Sequence, residues 1–149
     1  MDNQYRNNYV GTINESNIGQ SIVLSGWVEN IRDHGGVLFL DLRDIKGTLQ
    51  LVSNDDNLFV NISKESVITV KGIIRARSAE TVNEKIASGK VELLVESLEV
   101  LNKAKELPFE VMISKSSNEE IRLKHRYLDL RNKEVAQSIL FRSKVFSYL

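Results

Sequence analysis

Hydrophobic and polar residues alternate in five separate segments within the first two-thirds of the chain. Alternation with a period of two is typical of β-strands that bury one face and expose the other. The five predicted strands cover residues 22–29, 37–43, 48–52, 67–77 and 90–101. Turn sequences that contain Asp and Gly separate the first three strands, so we expect consecutive hairpins there.

The hairpin of the second and third predicted strands has two chemically different faces. Five leucines share its inner face, because the side chains of a strand alternate between its two sides. They are Leu38, Leu40, Leu42, Leu49 and Leu51. Phe39 and Gln50 fall on the other side, which predicts an outer surface that is polar and aromatic.

The segment 58–66, LFVNISKES, is long enough for about two helical turns between the third and fourth strands. Five strands with a helix at this place are typical of the OB-fold, a five-stranded barrel that binds oligonucleotides and oligosaccharides. The predicted fold class is therefore mainly β, with an OB-fold barrel followed by a hinge and a C-terminal helical tail.

A polar connector over residues 102–118 contains Pro108, the single proline, and the sequence beyond it turns helical. Asn132 is a helix N-cap residue, and Val135, Ile139 and Phe146 follow at helical spacing. We expect the apolar side of this helix to be covered by the barrel, by another subunit or by further chain. The first eight residues are expected to be loosely ordered unless something docks them.

Charge and composition narrow the function classes. Among 149 residues, 20 Lys and Arg balance 20 Asp and Glu, which excludes a polybasic protein that binds DNA without regard to sequence. There is no cysteine and only two histidines, which argues against disulfides and a zinc centre. No stretch of 18 apolar residues occurs, so we expect a soluble, intracellular protein without a membrane partner.

The outer hairpin face carries the first candidate chemistry. Phe39 with Gln50 opposite it suits a platform on which a base stacks while an amide hydrogen-bonds its edge. The alternative is a phenylalanine covered by a loop or helix. No paired carboxylates, Ser-His-Asp set or phosphate-binding glycine loop is present, so the sequence contains no recognisable catalytic centre.

Charged residues at strand ends form a second group of candidates. Arg32, Arg75 and Arg77 either contact phosphates and bases or are ordinary solvated surface. Glu92 either faces solvent or accepts a hydrogen bond from an exocyclic amine such as that of cytosine. His34 lies in the turn sequence DHGG, where it is either a base contact or a tolerated turn residue.

Several segments of the chain resemble bacterial-type aspartyl-tRNA synthetases of class II, from about Tyr9 onward. The matching segments are GWVENIRDHGGVLFLDLRD (26–44), GTLQLV (47–52), VKGIIRARS (70–78), GKVELLVESLEVLN (89–102) and RLKHRYLDLRN (122–132). The last is the most specific, because RYLDLR introduces the first class II motif in this family. One departure is the segment 54–66, which is shorter than the corresponding region of many relatives and makes the predicted helix doubtful.

The resemblance implies a division of the chain. Residues 1–18 would be an N-terminal tail with a short helical lead-in, and 19–102 the anticodon-binding OB-fold domain. Residues 103–118 would be a hinge, and 119–149 the start of the catalytic domain, with the first helix of the dimer interface. The chain would then be a part of a longer enzyme.

The resemblance also implies roles for individual residues. Positions matching Phe39 and Gln50 stack on and hydrogen-bond to the middle anticodon base. Those matching Arg32, Arg77, Asn83 and Glu92 help to recognise the neighbouring bases. Strict alternation puts Arg32 on the core side, so its role requires a β-bulge after Glu29. His34 resembles the type of enzyme that charges asparagine tRNA as well as aspartate tRNA.

The implied activity is an ATP-dependent, AMP-forming aspartate–tRNA ligase, a cytoplasmic homodimer that acts on tRNA and not on DNA. The residues that bind ATP, Mg²⁺ and aspartate would lie beyond Leu149, so this chain would hold no cofactor or metal and would be inactive alone. Three alternatives stay open: a stand-alone OB module for single-stranded nucleic acid, a protein-binding barrel, and the same domain of an asparaginyl- or lysyl-tRNA synthetase.

Overall fold

The computed structural model describes residues 4–34, 37–53, 55 and 57–148, and of His34 only the backbone. Five strands form the first part: β1 (Ser21–His34), β2 (Val37–Arg43), β3 (Thr48–Ser53), β4 (Val67–Ala76) and β5 (Val91–Asn102). Three α-helices follow: α1 (Glu119–Lys124), α2 (Arg126–Asp129) and α3 (Lys133–Ser147). Short 3₁₀ helices occupy Val10–Thr12, Glu15–Asn17, Ala79–Thr81 and Val111–Ser116.

The five strands close into a barrel in the order β1-β2-β3-β5-β4. All neighbours are antiparallel except β3 and β5, which pair in parallel. The inward residues of every strand form one buried core, which confirms the alternation predicted for each strand. Its fully buried members include Ile22, Leu24, Leu40, Leu42, Leu49, Leu51, Ile68, Val70 and Leu93. The predicted five-stranded OB-fold is confirmed.

A β-bulge in β1 decides which residues of that strand face outward. The pairing of β1 with β2 shifts between Val28 and Asn30, so that the extra residue, Glu29, reverses the alternation beyond it. Before the bulge Val28 is in the core, and after it Ile31 packs against the core while Arg32 is exposed. The bulge expected after Glu29 is therefore present.

A cluster of charged side chains holds this bulge. The buried guanidinium of Arg43 lies with its Nε 3.1 Å from Oε2 of Glu29, and it also pairs with the buried carboxylate of Glu65. The hydroxyl of Thr48 donates a hydrogen bond to Glu29 over 3.3 Å. Burial raises the pKa of Glu29, although the charge of Arg43 opposes the shift. Glu29 is thus fixed from two strands, β2 and β3.

The predicted helix over 58–66 is wrong. The described residues between β3 and β4 form hydrogen-bonded turns, and Asn61 and Glu65 adopt positive φ angles of 62° and 63°. Left-handed residues of this kind interrupt a right-handed helix. The apolar residues of the segment still reach the barrel, where Phe59 is buried in the core and Leu58 and Ile62 pack against it. The segment is therefore a loop that packs on the barrel and not a helix.

The N-terminal segment docks on the barrel. The backbone N–H of Asn7 donates to the carbonyl of Val23 over 3.1 Å, and the side chain of Asn7 accepts from the N–H of Val23 over 3.0 Å. Val10 and Ile13 are buried in the barrel core. Residues 1–3 lie outside the described part.

Contacts divide the chain into two compact units, Met1–Lys105 and Glu106–Leu149. The segment expected as a hinge, 103–118, lies on both sides of this division. In the second unit, Phe109, Val111 and Leu128 form a small apolar core. No helix of the described residues is long and apolar enough to cross a membrane.

The second unit contains a buried carboxylate, Asp129, which has no exposed surface. Arg122 Nε lies 3.1 Å from Oδ1 of Asp129, Arg126 Nη1 lies 2.5 Å from Oδ2, and the hydroxyl of Ser114 donates over 2.7 Å. Burial alone would raise the pKa of Asp129, but hydrogen bonds from Arg122 and Ser114 and the arginine charges lower it overall. Asp129 thus joins the 3₁₀ helix Val111–Ser116 to α1 and α2.

The N-cap predicted for the last helix is confirmed. The side chain of Asn132 accepts hydrogen bonds from the N–H groups of Glu134 and Val135 and donates to the carbonyls of Val111 and Met112. Of the apolar stripe expected on α3, Val135 is buried and the other described members are exposed, and Leu149 lies outside the described residues.

We expect Asp129→Asn to lower the free energy of unfolding of the helical unit by about 3 kcal/mol, because two arginines lose a buried partner. The measurement is urea unfolding followed by the helical circular dichroism signal. A carboxylate whose pKa is lowered by folding stabilises the folded protein at pH values above its ordinary pKa. This stabilisation disappears as the pH falls through the pKa of the carboxylate in the folded protein. The difference between the two proteins should therefore be large at pH 7 and shrink below pH 4 or so.

Glu106→Gln is the matched control, since it removes one exposed carboxylate of the same unit. It should change the free energy of unfolding by less than about 0.5 kcal/mol. Equal effects of the two substitutions would contradict the structural role of Asp129.

Candidate nucleic-acid interface

The outer face of the barrel carries two parallel rows of side chains that cross all five strands. The polar row contains Asn30, Asp41, Gln50, Glu92 and Arg75 in the strand order β1-β2-β3-β5-β4. Two residues away on each strand lies the second row, which contains Arg32 followed by the apolar residues Phe39, Val52, Leu94 and Ile73. Each row consists of directly paired residues, so the register of the strands alone assembles it.

Hydrogen bonds and ion pairs connect Arg32 of the second row with the polar row from Asp41 to Arg75. Nη2 of Arg32 lies 2.7 Å from Oδ1 of Asp41 and 3.4 Å from Oε1 of Gln50. Gln50 Nε2 donates to Oε2 of Glu92 over 2.9 Å. Arg75 Nε lies 2.7 Å from the other oxygen of Glu92. The bulge in β1 brings Arg32 into these contacts, and the parallel pairing of β3 with β5 brings Gln50 beside Glu92.

The middle of the polar row is shielded from water although it faces outward. Only 7% of Gln50 and 6% of Glu92 is exposed, while the side chains of Arg32 and Arg75 are 47% and 44% exposed. Hydrogen bonds between shielded groups are stronger than those in water, so the geometry of the central pair is well fixed.

Burial changes the acidity of two groups at this face. Burial raises the pKa of Asp41, and the charge of Arg32 opposes this only in part. Burial also lowers the pKa of Arg77, against the attraction of Glu92 and Asp41. Arg77 is thus close enough to the polar row to interact with both of its carboxylates.

Arg77 also holds the loop that follows β4. Its Nε donates to the carbonyl of Val91 over 3.1 Å, and its Nη1 donates to the carbonyl of Thr81 over 3.3 Å. In the same loop, Asn83 donates its N–H to the carbonyl of Gly89, and its side chain accepts from the N–H of Lys85. Asn83 is half-buried, and its observed contacts belong to the loop itself.

Phe39 lies in the second row, between Arg32 and Val52. The ring is half-buried on the outer face and is not part of the barrel core, as the alternation predicted. Val52 beside it is almost completely buried, so it supports the ring without competing for a ligand. An aromatic ring with an amide and two guanidinium groups nearby is the chemistry that binds an unstacked base.

The structure brings together Arg32, Phe39, Gln50 and Glu92, four of the predicted site residues. It places Arg77 near them and Asn83 in the adjoining loop. The side chain of His34, together with Gly35 and Gly36, lies outside the described residues. Among the described side chains, no three His, Asp or Glu are arranged to hold a metal ion.

Sequence reasoning missed that Asp41 and Arg75 belong to the same row as Gln50. Arg75 is predicted only as a strand-end cation, and no role is predicted for Asp41. The pairing of Arg75 with Glu92 depends on the register of β4 against β5, which shifts at two places. Local alternation indicates the face on which a residue lies, and only the long-range register indicates its neighbours.

A family model described as a tRNA anti-codon OB-fold nucleic acid binding domain matches residues 22–101 of this chain. The chain belongs to this family. The matched residues contain all five strands of the OB-fold except the end residues Ser21 and Asn102, and both rows of the outer face.

Curated relatives agree with this assignment. The chain is 45% identical over 145 residues to the aspartate–tRNA(Asp/Asn) ligase of Hydrogenobaculum sp., with 93% of this chain and 24% of that protein covered. It is 44% identical over 136 residues to the aspartate–tRNA ligase of Listeria monocytogenes, with 87% and 23% covered. The chain therefore spans about a quarter of the length of these relatives.

A solved structure shares the architecture. The asparaginyl-tRNA synthetase of Pyrococcus horikoshii, in complex with asparaginyl-adenylate, superimposes with a TM-score of 0.70 at 28% identity. The superposition covers 84% of this chain and 29% of that one.

We expect Asp41→Asn to strengthen binding of a short single-stranded RNA about threefold, because it removes one negative charge beside Arg32 that would repel the phosphates of a bound RNA. The raised pKa of Asp41 gives a matching pH dependence. As the pH falls through this pKa, Asp41 becomes neutral, so the RNA affinity of the native protein should rise more than that of Asp41→Asn. The measurement is the dissociation constant at constant salt, from pH 7 down through the range in which carboxyl groups titrate.

Glu99→Gln, at an exposed position of β5, removes the same charge and serves as the control. Weaker binding by Asp41→Asn would contradict the prediction and would indicate that Asp41 orients Arg32 for the ligand.

Proposed function

We propose that this chain is the anticodon-binding part of an aspartate–tRNA ligase. The observation that carries the proposal is the pair of rows on the outer face, where Phe39 offers a stacking ring beside the fixed amide of Gln50. The 44–45% identity to aspartate–tRNA ligases supports the choice of amino acid among related enzymes. The OB-fold family of the chain supports a nucleic acid ligand.

The proposed recognition works by stacking and hydrogen bonding. An anticodon base lies on Phe39, and Gln50 hydrogen-bonds its edge. Arg32, Arg77, Asn83 and Glu92 contact the neighbouring bases, in line with their positions around the same face. The rows balance two arginines against two carboxylates, so selectivity comes from donors and acceptors more than from total charge.

The face does not itself carry out chemistry. It improves the choice of tRNA and helps to place the distant acceptor end for transfer of aspartate. We propose that the ATP, Mg²⁺ and aspartate sites of the ligase lie outside this chain, and we expect this chain alone to be inactive.

The proposal extends to the complete enzyme. It would be a cytoplasmic homodimer that uses ATP to attach aspartate to tRNA and releases AMP. The exposed apolar residues of α3, among them Leu140, Phe141 and Phe146, suit a helix that is covered in the complete dimer. The proposed partner is tRNA, and we expect the protein to bind neither DNA nor a membrane surface.

The range of tRNAs is a separate part of the proposal. One relative is an aspartate–tRNA(Asp/Asn) ligase and another an aspartate–tRNA ligase. We propose that His34, the last residue of β1, marks the complete ligase as the relaxed type, which also charges asparagine tRNA.

Phe39→Ala is expected to weaken binding of an aspartate-tRNA anticodon stem-loop by about 1–3 kcal/mol, the contribution of stacking one base on an aromatic ring. Phe39→Leu should lose nearly as much, because it keeps the apolar volume but not the aromatic face. The measurement is a fluorescence titration with labelled stem-loops at fixed moderate salt.

Ile73→Ala, in the same apolar row, is the control and should have little effect. A stem-loop with a changed middle base should bind the native protein weakly. Equal binding of every stem-loop to every variant would favour the generic single-strand binder, and no RNA binding at all would favour a protein-binding barrel.

The complete ligase tests the range of tRNAs. We expect comparable rates of aspartate attachment to aspartate tRNA and asparagine tRNA, measured with radiolabelled aspartate under equal conditions. A strong preference for aspartate tRNA would remove the role proposed for His34 and leave the anticodon interface untouched. This chain alone should give no product with either tRNA.

A further inference from the structure

The amide of Gln50 lies between two groups with opposite hydrogen-bonding requirements. Its Nε2 faces Oε2 of Glu92 at 2.9 Å, and its Oε1 faces Nη2 of Arg32 at 3.4 Å. A carboxylate only accepts hydrogen bonds and a guanidinium only donates them. If the amide turned over, its oxygen would face the carboxylate of Glu92 and its nitrogen would face the guanidinium of Arg32, and neither pair could form a hydrogen bond. Its nitrogen therefore points toward β5 and its oxygen toward β1.

Glu92 can impose this orientation because it is itself held on both sides. Gln50 occupies Oε2, and Nε of Arg75 lies 2.7 Å from Oε1. The side chain of Glu92 is only 8% exposed, so the carboxylate needs a cationic partner to remain charged and in place. Arg75 supplies that partner from β4, at the far end of the polar row.

We propose that Arg75 is a positioning residue of the anticodon interface, which holds Glu92 and through it fixes the orientation of the Gln50 amide, and so sets selectivity for the base that Gln50 contacts. The inference rests on the proposed function. It adds to the predicted site a residue that need not touch that base.

A fixed amide separates two bases of the same size. Uracil carries a carbonyl acceptor at C4 and an N–H donor at N3, whereas cytosine carries an amine donor and a bare nitrogen at the corresponding positions. Their rings stack equally well on Phe39. An amide with its nitrogen and oxygen in fixed places matches one of these patterns and opposes the other. An amide that can turn over accommodates both.

Without Arg75, Glu92 has another cation within electrostatic range. Arg77 interacts with both Glu92 and Asp41, and it is partly desolvated at the same face. We expect Glu92 to turn toward Arg77 when Arg75 is removed, which leaves Gln50 without its acceptor on the β5 side. The preference for one base over the other should then fall more than the affinity for the RNA.

The test compares Arg75→Met with Lys71→Met in the 149-residue chain. Lys71 is an exposed cation on the same outer side of β4, and its removal takes away the same charge. The probes are two labelled anticodon stem-loops that differ only in uracil or cytosine at the middle position. The quantity measured is the ratio of their dissociation constants at fixed salt.

The native chain is expected to prefer the uracil stem-loop. Arg75→Met should reduce this preference about five- to tenfold, within the discrimination of one bidentate base contact. Lys71→Met should weaken both stem-loops equally and leave the ratio unchanged. Arg75→Lys, which keeps a charge and a donor, should restore most of the preference.

An unchanged ratio in Arg75→Met would overturn the inference, because the amide would then be fixed without Arg75. If both stem-loops also bind more weakly by the same factor, as with Lys71→Met, Arg75 is a backbone contact. A native chain that does not distinguish the two stem-loops would instead contradict the proposed anticodon site, and the inference would fall with it. Circular dichroism confirms that each variant is folded, and Arg75→Gln, which also lacks the charge, replaces Arg75→Met if the latter does not fold.

Discussion

The parallel pairing of β3 with β5 is the contact on which the candidate interface depends. It closes the barrel between strands that are distant in sequence, and it sets Gln50 directly beside Glu92. A shift of one residue would turn the outward side chains of one strand toward the core. The inward leucines prevent such a shift, because each has a place in the packed interior. The hydrophobic core therefore determines which polar groups meet on the outside.

The bulge at Glu29 has a similar effect at the other end of the row. One extra residue in β1 moves Arg32 from the inner to the outer side, where it meets Asp41 and Gln50. The bulge is supported by a buried ion cluster around Arg43. Charged groups thus serve two purposes in this barrel. Those around Arg43 shape the backbone, and those around Gln50 form the polar row of the candidate interface.

Much of the fold could be predicted from the sequence, because alternation with a period of two directly reports the buried face of a strand. Phe39 and Gln50 were placed outside correctly on this basis. The segment 58–66 was predicted wrongly as a helix, since its length suits two helical turns while Asn61 and Glu65 have left-handed backbone angles. Single-residue backbone geometry of this kind is set by packing against the barrel, and the local sequence contains no clear signal of it.

Residues of the candidate site could be named from the sequence, but the contacts that connect them could not. Family resemblance pointed to Glu92 and Arg32, yet the link from Arg75 through Glu92 to Gln50 follows from pairing across three strands. Register shifts in the β1–β2 and β4–β5 pairings move the paired residues by one position. The alternation of hydrophobic and polar residues in the sequence does not show where these shifts occur. Contacts between residues far apart in sequence therefore needed the structure.

Closure of the barrel has one more consequence, which concerns how such a domain can change during evolution. The residues that stabilise it point inward, and those of the two rows point outward from the same strands. A substitution at an exposed row position, such as Arg32, leaves the packed leucines in place, so selection can alter the surface offered to a ligand at little cost in stability. The shielded and mutually bonded Gln50 and Glu92 have to change together, while the scaffold is inherited intact.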